Sequence, residues 1–280
     1  MLTSAGMRSG KLAVELRARA GRARRRLNWV LSWAPGLVGA LIPSPLRDPA
    51  VRRAYGRYLA GKRVALVGPA PSIEGSRQHD LIESHDVVAR VNHALPVPAH
   101  LQPDVGCRTD VLYHNLWRGS PKARPFLELV GLLDGHVQWA CAAYPYLNLD
   151  HRFAEDIDRF VKDLSGRVPF RVPGNLRYLR TWWECRTRPN AGVSAIADLL
   201  SFDIARLYIT GFTFYAGPQA YHAGYLGAGS GPVHDQGRQQ AFIARMLRTD
   251  SRLVADAVLG QILAGSSPTS PAVSTGDGQT

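Results

Sequence analysis

The sequence predicts an α/β fold: a single Rossmann-like domain with a mainly parallel sheet flanked by helices. Three observations lead there. At 280 residues, 45% of them hydrophobic, the chain can bury one full core. Short apolar runs bounded by turn residues alternate with amphipathic stretches, the order that builds parallel sheets. The first run, VALV at Val64–Val67, opens into the turn GPAPS, at the sheet end where open α/β folds bind ligands.

The elements follow in order. Val64–Val67 is a short buried strand, Ser76–Glu83 reads as a helix, and Val87–Val91 as a second strand. Thr109–His114 and Val137–Ala142 are further strands. In HRFAEDIDRFVKDL, the residues Phe153, Ile157, Phe160, Val161 and Leu164 share one helical face. NAGVSAIADLLSF is a helix with Asn190 as its cap. ARLYITGF is a buried strand, and Gln236–Leu259 a long helical stretch. No internal repeat is visible.

This frame divides the chain into an N-terminal arm over residues 1–60, a core domain over 61–263 and a polar tail, rich in Pro, Ser and Thr, over 264–280. The net charge of +12 lies in the arm and the first residues after it, because residues 1–63 carry 14 Lys/Arg against only Glu15 and Asp48. The rest is neutral, which argues against a nucleic-acid partner. Arginine far outnumbers lysine, as in the products of a GC-rich bacterial genome. Next to RARAGRARRR lies an uncharged run, Leu27–Leu46, bearing Trp29 and Trp33. Pro35, Gly36 and Gly39 interrupt it, so three readings stay open: peripheral attachment to an anionic membrane surface through residues 1–46, a docking helix, and a true anchor. Cys107, Cys141 and Cys185 show no metal-site or disulfide pattern. The expected location is cytoplasmic, with peripheral attachment at the inner face of the cell membrane as one of the open readings.

The turn after the first strand is unusual for a nucleotide loop. It lacks G-x-G-x-x-G, no acid follows at the end of the second strand, and no Walker lysine is present. An NAD-dependent oxidoreductase is therefore disfavoured. Pro69 and Pro71 have no N–H to donate, so the turn suits a ligand that asks little of the backbone; a plain strand-to-helix turn is the other reading. Asn92 and Asn115 stand at two further strand ends, as turn caps or as ligand contacts. The helix after Pro189 presents free N–H groups that can hold an anion. Asp156 and Asp158 form a D-x-D pair, but they flank Ile157 of the apolar stripe and read as the solvated shoulder of a helix.

Read together, these segments resemble the eukaryotic-type sialyltransferases, glycosyltransferase family 29. Ile82–Asn92 reads IESHDVVARVN and Asp104–Thr109 reads DVGCRT, similar to the family's large motif. RPNAGVSAIADLLSFDIARLYITGF is similar to its small motif, Tyr221-His222 to its third, and GPVHDQGRQQ to its last. The four stand in the family's order and cover most of Val64–Gln239.

The resemblance implies a GT-A-like sialyltransferase variant of the fold. It implies an inverting, metal-independent glycosyltransferase that moves sialic acid, or a related 2-keto sugar acid, from a CMP-sugar to the hydroxyl of a glycan or small molecule. No cofactor is implied; the CMP-sugar is a substrate with one phosphate, which answers the missing donors of the turn. His234 matches the general base and His222 the histidine that bonds the departing phosphate. Gly68, Ser72, Asn92, Asn115, Asn190, Ala191 and Gly192 match the donor and nucleotide site. His85 matches a family histidine and reads as structural. The chain departs from the pattern where the loop asparagines become Pro69 and Ser72, the small-motif Ser and Thr become Asn190 and Ala191, the last Glu becomes Gln239, and the family's cysteine pair is missing. In the family the small-motif element contacts the donor sugar's carboxylate. CMP-Kdo is therefore an alternative donor, and a catalytically weak CMP-binding protein of the same fold is an alternative function.

Overall fold

The computed structural model describes residues 49–116, 131, 133, 137–145, 152–164, 166–214 and 234–265. Among the described residues seven strands form one parallel sheet: β1 Arg63–Val67, β2 Val87–Val91, β3 Val111–His114, β4 Trp139–Ala142, β5 Phe170–Arg171, β6 Arg206–Thr210 and β7 Leu253–Ala255. Their order is β5-β4-β3-β2-β1-β6-β7. The chain builds outward from β1 to β5, then crosses back to lay β6 on the other side of β1. The strand order reverses between β1 and β6, and that is where such sheets open a ligand crevice at the carboxyl ends.

The central strands are covered on both faces, which is why they read as continuous apolar runs. All of Val64–Val67 and all of β2 are buried. Arg90 is fully buried in β2. Its guanidinium is absorbed by Thr109 Oγ1 at 3.0 Å and by the carbonyls of Val105 at 2.9 Å and Gly106 at 3.1 Å.

The helices are α1 Pro49–Leu59, α2 His79–Glu83, α3 Gln102–Val105, α4 Arg152–Leu164, α5 Asn175–Cys185, α6 Ala191–Leu199, α7 Gln236–Thr249 and α8 Ala257–Leu263. Helix α1 falls inside the segment read as the arm, yet Tyr55 and Leu59 are fully buried. The packed domain thus begins before residue 61. Tyr55 joins a buried polar chain: its hydroxyl lies 3.1 Å from that of Tyr113, which donates to Asp198 Oδ2 at 2.8 Å. Asp198 is paired with Arg171 through both carboxylate oxygens, and the Arg171 guanidinium lies 4.7 Å from the Tyr55 ring centroid. Burial raises the Tyr55 and Tyr113 phenols well above their ordinary range.

Several element boundaries differ from the sequence expectation. Ser76–Glu83 is not one helix: Pro71–Ile73 makes a 3₁₀ turn and α2 starts at His79. Between them Gly75 and Arg77 take positive φ, held by the Asp104 carboxylate, which accepts their N–H groups at 2.9 and 2.8 Å. Gln236–Leu259 is broken by the edge strand β7. The Asp250 side chain accepts the Arg252 N–H at 3.1 Å and closes a turn that stops α7. Strands β3 and β4 begin two residues later than expected. On α4, Ile157, Phe160 and Leu164 are buried as expected; the side chains of Phe153, Asp156 and Asp158 lie outside the described residues. The three cysteines are free. Among the described residues no helix is long and apolar enough to cross a membrane, and no group of three or more His, Cys, Asp or Glu could hold a metal ion. The apolar run of the arm lies outside the described residues.

Candidate active site

The crevice is framed by the turns that leave β1 and β6. Gly68 donates its N–H to Thr210 O at 2.8 Å, and Ala70 donates to Gly211 O at 3.0 Å. The two glycines meet backbone to backbone. A Cβ on Gly68 would stand 2.3 Å from Gly211 O, and one on Gly211, at φ +70°, 2.6 Å from Gly68 O. Asp256, the cap of α8, braces the second turn by accepting from Thr210 Oγ1 at 2.6 Å and Gly211 N–H at 3.2 Å. The consequence for ligand binding is direct. From Gly68 to Pro71 each backbone N–H is either bonded to the neighbouring turn or absent in a proline. Gly68 thus admits the Gly211 backbone and gives its own N–H to Thr210 O. Ser72 follows, half-buried, on the 3₁₀ turn.

The Phe212 ring carries the β1 turn over to the start of α6. It would lie 2.8 Å from a Cβ on either Gly68 or Gly192, so both glycines are needed to seat it. Asn190 caps α6, its Oδ1 accepting the Val193 N–H at 2.8 Å, as the sequence led us to expect. Ala191 is buried and its side chain offers no polar group.

On the other side of β1, Asn92 and Asn115 leave the ends of β2 and β3. Asn92 Oδ1 accepts the Asn115 N–H at 2.9 Å. Asn92 holds φ +50°, a left-handed conformation that asparagine tolerates better than most residues. Both are buried, at 7% and 9% exposure, so the pair forms one rigid unit at two adjacent strand ends.

His234 precedes α7 and is half-buried. Its Nδ1 lies 2.8 Å from the carbonyl oxygen of Arg188. Asp235 caps α7 by accepting the Arg238 N–H at 3.0 Å, and gives its own N–H to Thr187 Oγ1 at 3.1 Å. Gln239, fully buried, accepts the Asn190 N–H at 3.2 Å. The start of α7 is therefore clamped to residues 187–190, just ahead of α6. His222 lies outside the described residues. His85 sits at the opposite end of the sheet, before β2, with Nδ1 2.8 Å from Leu81 O and its ring stacked on Tyr208 at 5.7 Å. Burial lowers its pKa, consistent with a structural role.

Phe212, Arg188 and Gln239 were not singled out as site residues by sequence. The small motif's final G-F and the last motif's departure at Gln239 were the only signals that could have found two of them. Arg188 bears on the site through its main-chain carbonyl, and no side-chain pattern reports that.

No family model matches the chain, and no curated protein matches it in sequence. Solved structures do. A sialyltransferase CstII variant in complex with CMP is 15% identical, with a TM-score of 0.50 over 75% of this chain and 86% of that one. CstII from Campylobacter jejuni with cytidine-5'-monophosphate is 13% identical, with a TM-score of 0.49 over 76% and 86%. A mammalian sialyltransferase is 16% identical, with a TM-score of 0.49 over 77% and 73%. The first of these likenesses shows the fold alone: the α/β domain on its parallel sheet is similar to the fold of that sialyltransferase.

Proposed function

We propose that the chain is a CMP-sugar-dependent glycosyltransferase that moves sialic acid or a related 2-keto sugar acid to a hydroxyl of a glycan or small molecule, with inversion. One observation carries this reading: the orientation of His234 beside the start of α6, at the switch point of a sialyltransferase-type sheet. A carbonyl oxygen only accepts, so the Arg188 contact requires a proton on Nδ1. The neutral ring then keeps its lone pair on Nε2, as a general base needs. In the proposed step the acceptor oxygen attacks the anomeric carbon, the bond from that carbon to the phosphate oxygen breaks, and the acceptor proton passes to His234 Nε2. His222 is assigned the departing phosphate. Asn92 and Asn115 are assigned the CMP moiety.

The β1 turn supports a donor with one phosphate, since its backbone donors are taken. With a single phosphate to neutralise, we assign no metal, and activity should persist in excess EDTA. Residues 1–46 of the arm are assigned to an anionic membrane surface.

A titration panel of CMP, CMP-sialic acid, CMP-Kdo and UDP-sugars, followed by product analysis, tests the reading. Binding confined to CMP compounds, with transfer to a hydroxyl acceptor, is the expected result. Preference for a UDP-sugar would overturn it. A second reading, a catalytically weak CMP-binding protein, is favoured by the Asn190 side chain serving as a helix cap and by Ala191 having no hydroxyl. CMP binding without hydrolysis or transfer would select it.

A further inference from the structure

Helix α5 has two unlike faces. Tyr178, Leu179, Trp182 and Cys185 are buried. Leu176, Arg180 and Trp183 share the outer stripe, at the spacing of one helix face. Leu176 is 72% exposed and Trp183 58%. The surroundings are cationic. Arg52 of α1 and Arg171 flank the Phe202 ring, their guanidinium carbons 5.4 and 5.2 Å from its centroid. Arg52, Arg171 and Arg180 all act electrostatically on Arg177. Burial, and then this positive charge, lower the Arg177 pKa against the pull of Asp198. Asp198 gives both carboxylate oxygens to Arg171, so among the described residues neither Arg52 nor Arg177 has an ion pair. Glu184 is shared between Arg180 at 2.8 Å and Arg245 of α7 at 3.7 Å. It offsets only one of the charges of Arg52, Arg177, Arg180 and Arg245.

A cationic surface that also exposes a leucine and a tryptophan matches the boundary of an anionic bilayer. Headgroup phosphates neutralise the guanidinium groups, and the ring and the leucine enter the edge of the acyl layer. A nucleic acid would take the arginines but offers no apolar layer to Leu176. We propose that the α1–α5 face lies on an anionic phospholipid surface, with Leu176 and Trp183 inserted. The inference rests on the assignment of residues 1–46 to the same kind of surface. Stable attachment takes two elements: the arm supplies one, and this face supplies the other and orients the domain.

The test uses the full chain and vesicles of phosphatidylcholine and phosphatidylglycerol in equal parts. Leu176→Cys and Leu81→Cys, each combined with Cys107→Ser, carry an environment-sensitive fluorophore; Cys141 and Cys185 are buried. Leu81, 48% exposed on α2, is the control. Its neighbour Ile82 packs with Ala65 and Val88, and Val88 and Tyr113 leave opposite faces of the sheet, because Tyr113 pairs with Val91. Helix α1, bonded to Tyr113 through Tyr55, is thus on the other side from α2. The Leu176 label should shift to the blue on vesicles and be quenched by brominated lipid, while the Leu81 label keeps its aqueous spectrum. Arg52→Ala with Arg180→Ala should weaken vesicle binding of the full chain about fivefold for each arginine removed. A Leu176 label that stays aqueous while the chain sediments overturns the proposal and leaves the arm's assignment standing. Equal response of both labels overturns it too. So does burial of the Leu176 label by double-stranded DNA and not by vesicles, which would give the face to a nucleic acid. A full chain that does not sediment defeats the assignment of the arm, and this proposal with it.

Discussion

His234 Nδ1 stands 2.8 Å from the carbonyl oxygen of Arg188, so the main chain, with no acidic side chain between them, sets the tautomer of the proposed base. His234→Ala should therefore lower the transfer rate by about 100-fold or more, the scale of general-base catalysis. CMP affinity should stay within about twofold, because the base acts in the transition state. Rate measurement beside CMP titration checks this. A variant as active as wild type removes His234 from the mechanism.

The Gly68–Gly211 contact predicts a graded pair of variants. Gly68→Ala drives a Cβ to 2.3 Å from a backbone oxygen that cannot rotate away. It should destabilise by about 1–3 kcal/mol and weaken CMP binding by displacing both turns. Gly211→Ala meets a similar clash and adds a left-handed φ, so it should be worse by about 1 kcal/mol. Gly75, also at positive φ but with nothing within 4 Å of its Cβ position, is the control: Gly75→Ala should lower stability slightly and leave CMP binding alone. Thermal denaturation and titration read all three. Equal CMP affinity in Gly68→Ala and wild type would detach this contact from the site.

Buried phenols give the protein an alkaline limit. Burial raises Tyr55 and Tyr113 well above the usual tyrosine range, and pushes Tyr178 and Tyr208 up to about 12. In the unfolded chain all four ionise near pH 10. The fold favours their neutral form, so this stabilisation is complete below about pH 10 and is lost as pH rises from there toward the folded values. Tyrosinate absorbance of these residues should appear together with the loss of helical circular dichroism. A titration in which all ten tyrosines ionise near pH 10 while the fold persists would contradict it.

Helix α1 decides where the arm can be removed. A chain starting at residue 61 discards Tyr55 and Leu59, both fully buried, and should lose several kcal/mol of stability, about 2–5 for a core leucine alone. A chain starting at residue 47 keeps α1. It should fold, bind CMP as the full chain does, and stay in the supernatant when the full chain sediments with anionic vesicles. High salt should weaken that sedimentation by screening. If the 47–280 chain sediments equally well, the arm is not the membrane element.

The parts legible in the sequence were those fixed by local pattern. Asn190 announced itself as a cap because a short polar side chain preceded an apolar helical run, and β1, β2 and β6 announced themselves by continuous burial. Strand β5 did not, because its two residues, Phe170 and Arg171, carry no periodicity within the short stretch between Pro169 and Pro173. Helix α5 mixes arginines with its apolar face, which blurred its outline. Strand β7 was hidden because Asp250 ends α7 through a turn that reads as more helix. At the site, Asn92 and Asn115 were found as strand-end asparagines, but their bond to each other belongs to the sheet register. Gly68 was placed at the site by its motif, but its contact with Gly211 could not be read, because that partner is distant in sequence and close only across the sheet.

The reversal of strand order also governs the chain's assembly during synthesis. Strand β1 is central, flanked by β2 and β6, yet β6 is made only after residue 205. Until then one edge of VALVG is unpaired and apolar, the kind of edge that recruits other strands. The two turns that frame the crevice cannot lock before Gly211 has emerged, so no binding site exists on the nascent chain for most of its translation. Ligand cannot rescue early intermediates, and long-range parallel pairing makes closure slow. Crowded expression should therefore aggregate this protein from the half-made sheet, and slower synthesis or chaperone capture of the β1 edge is the remedy that the topology calls for.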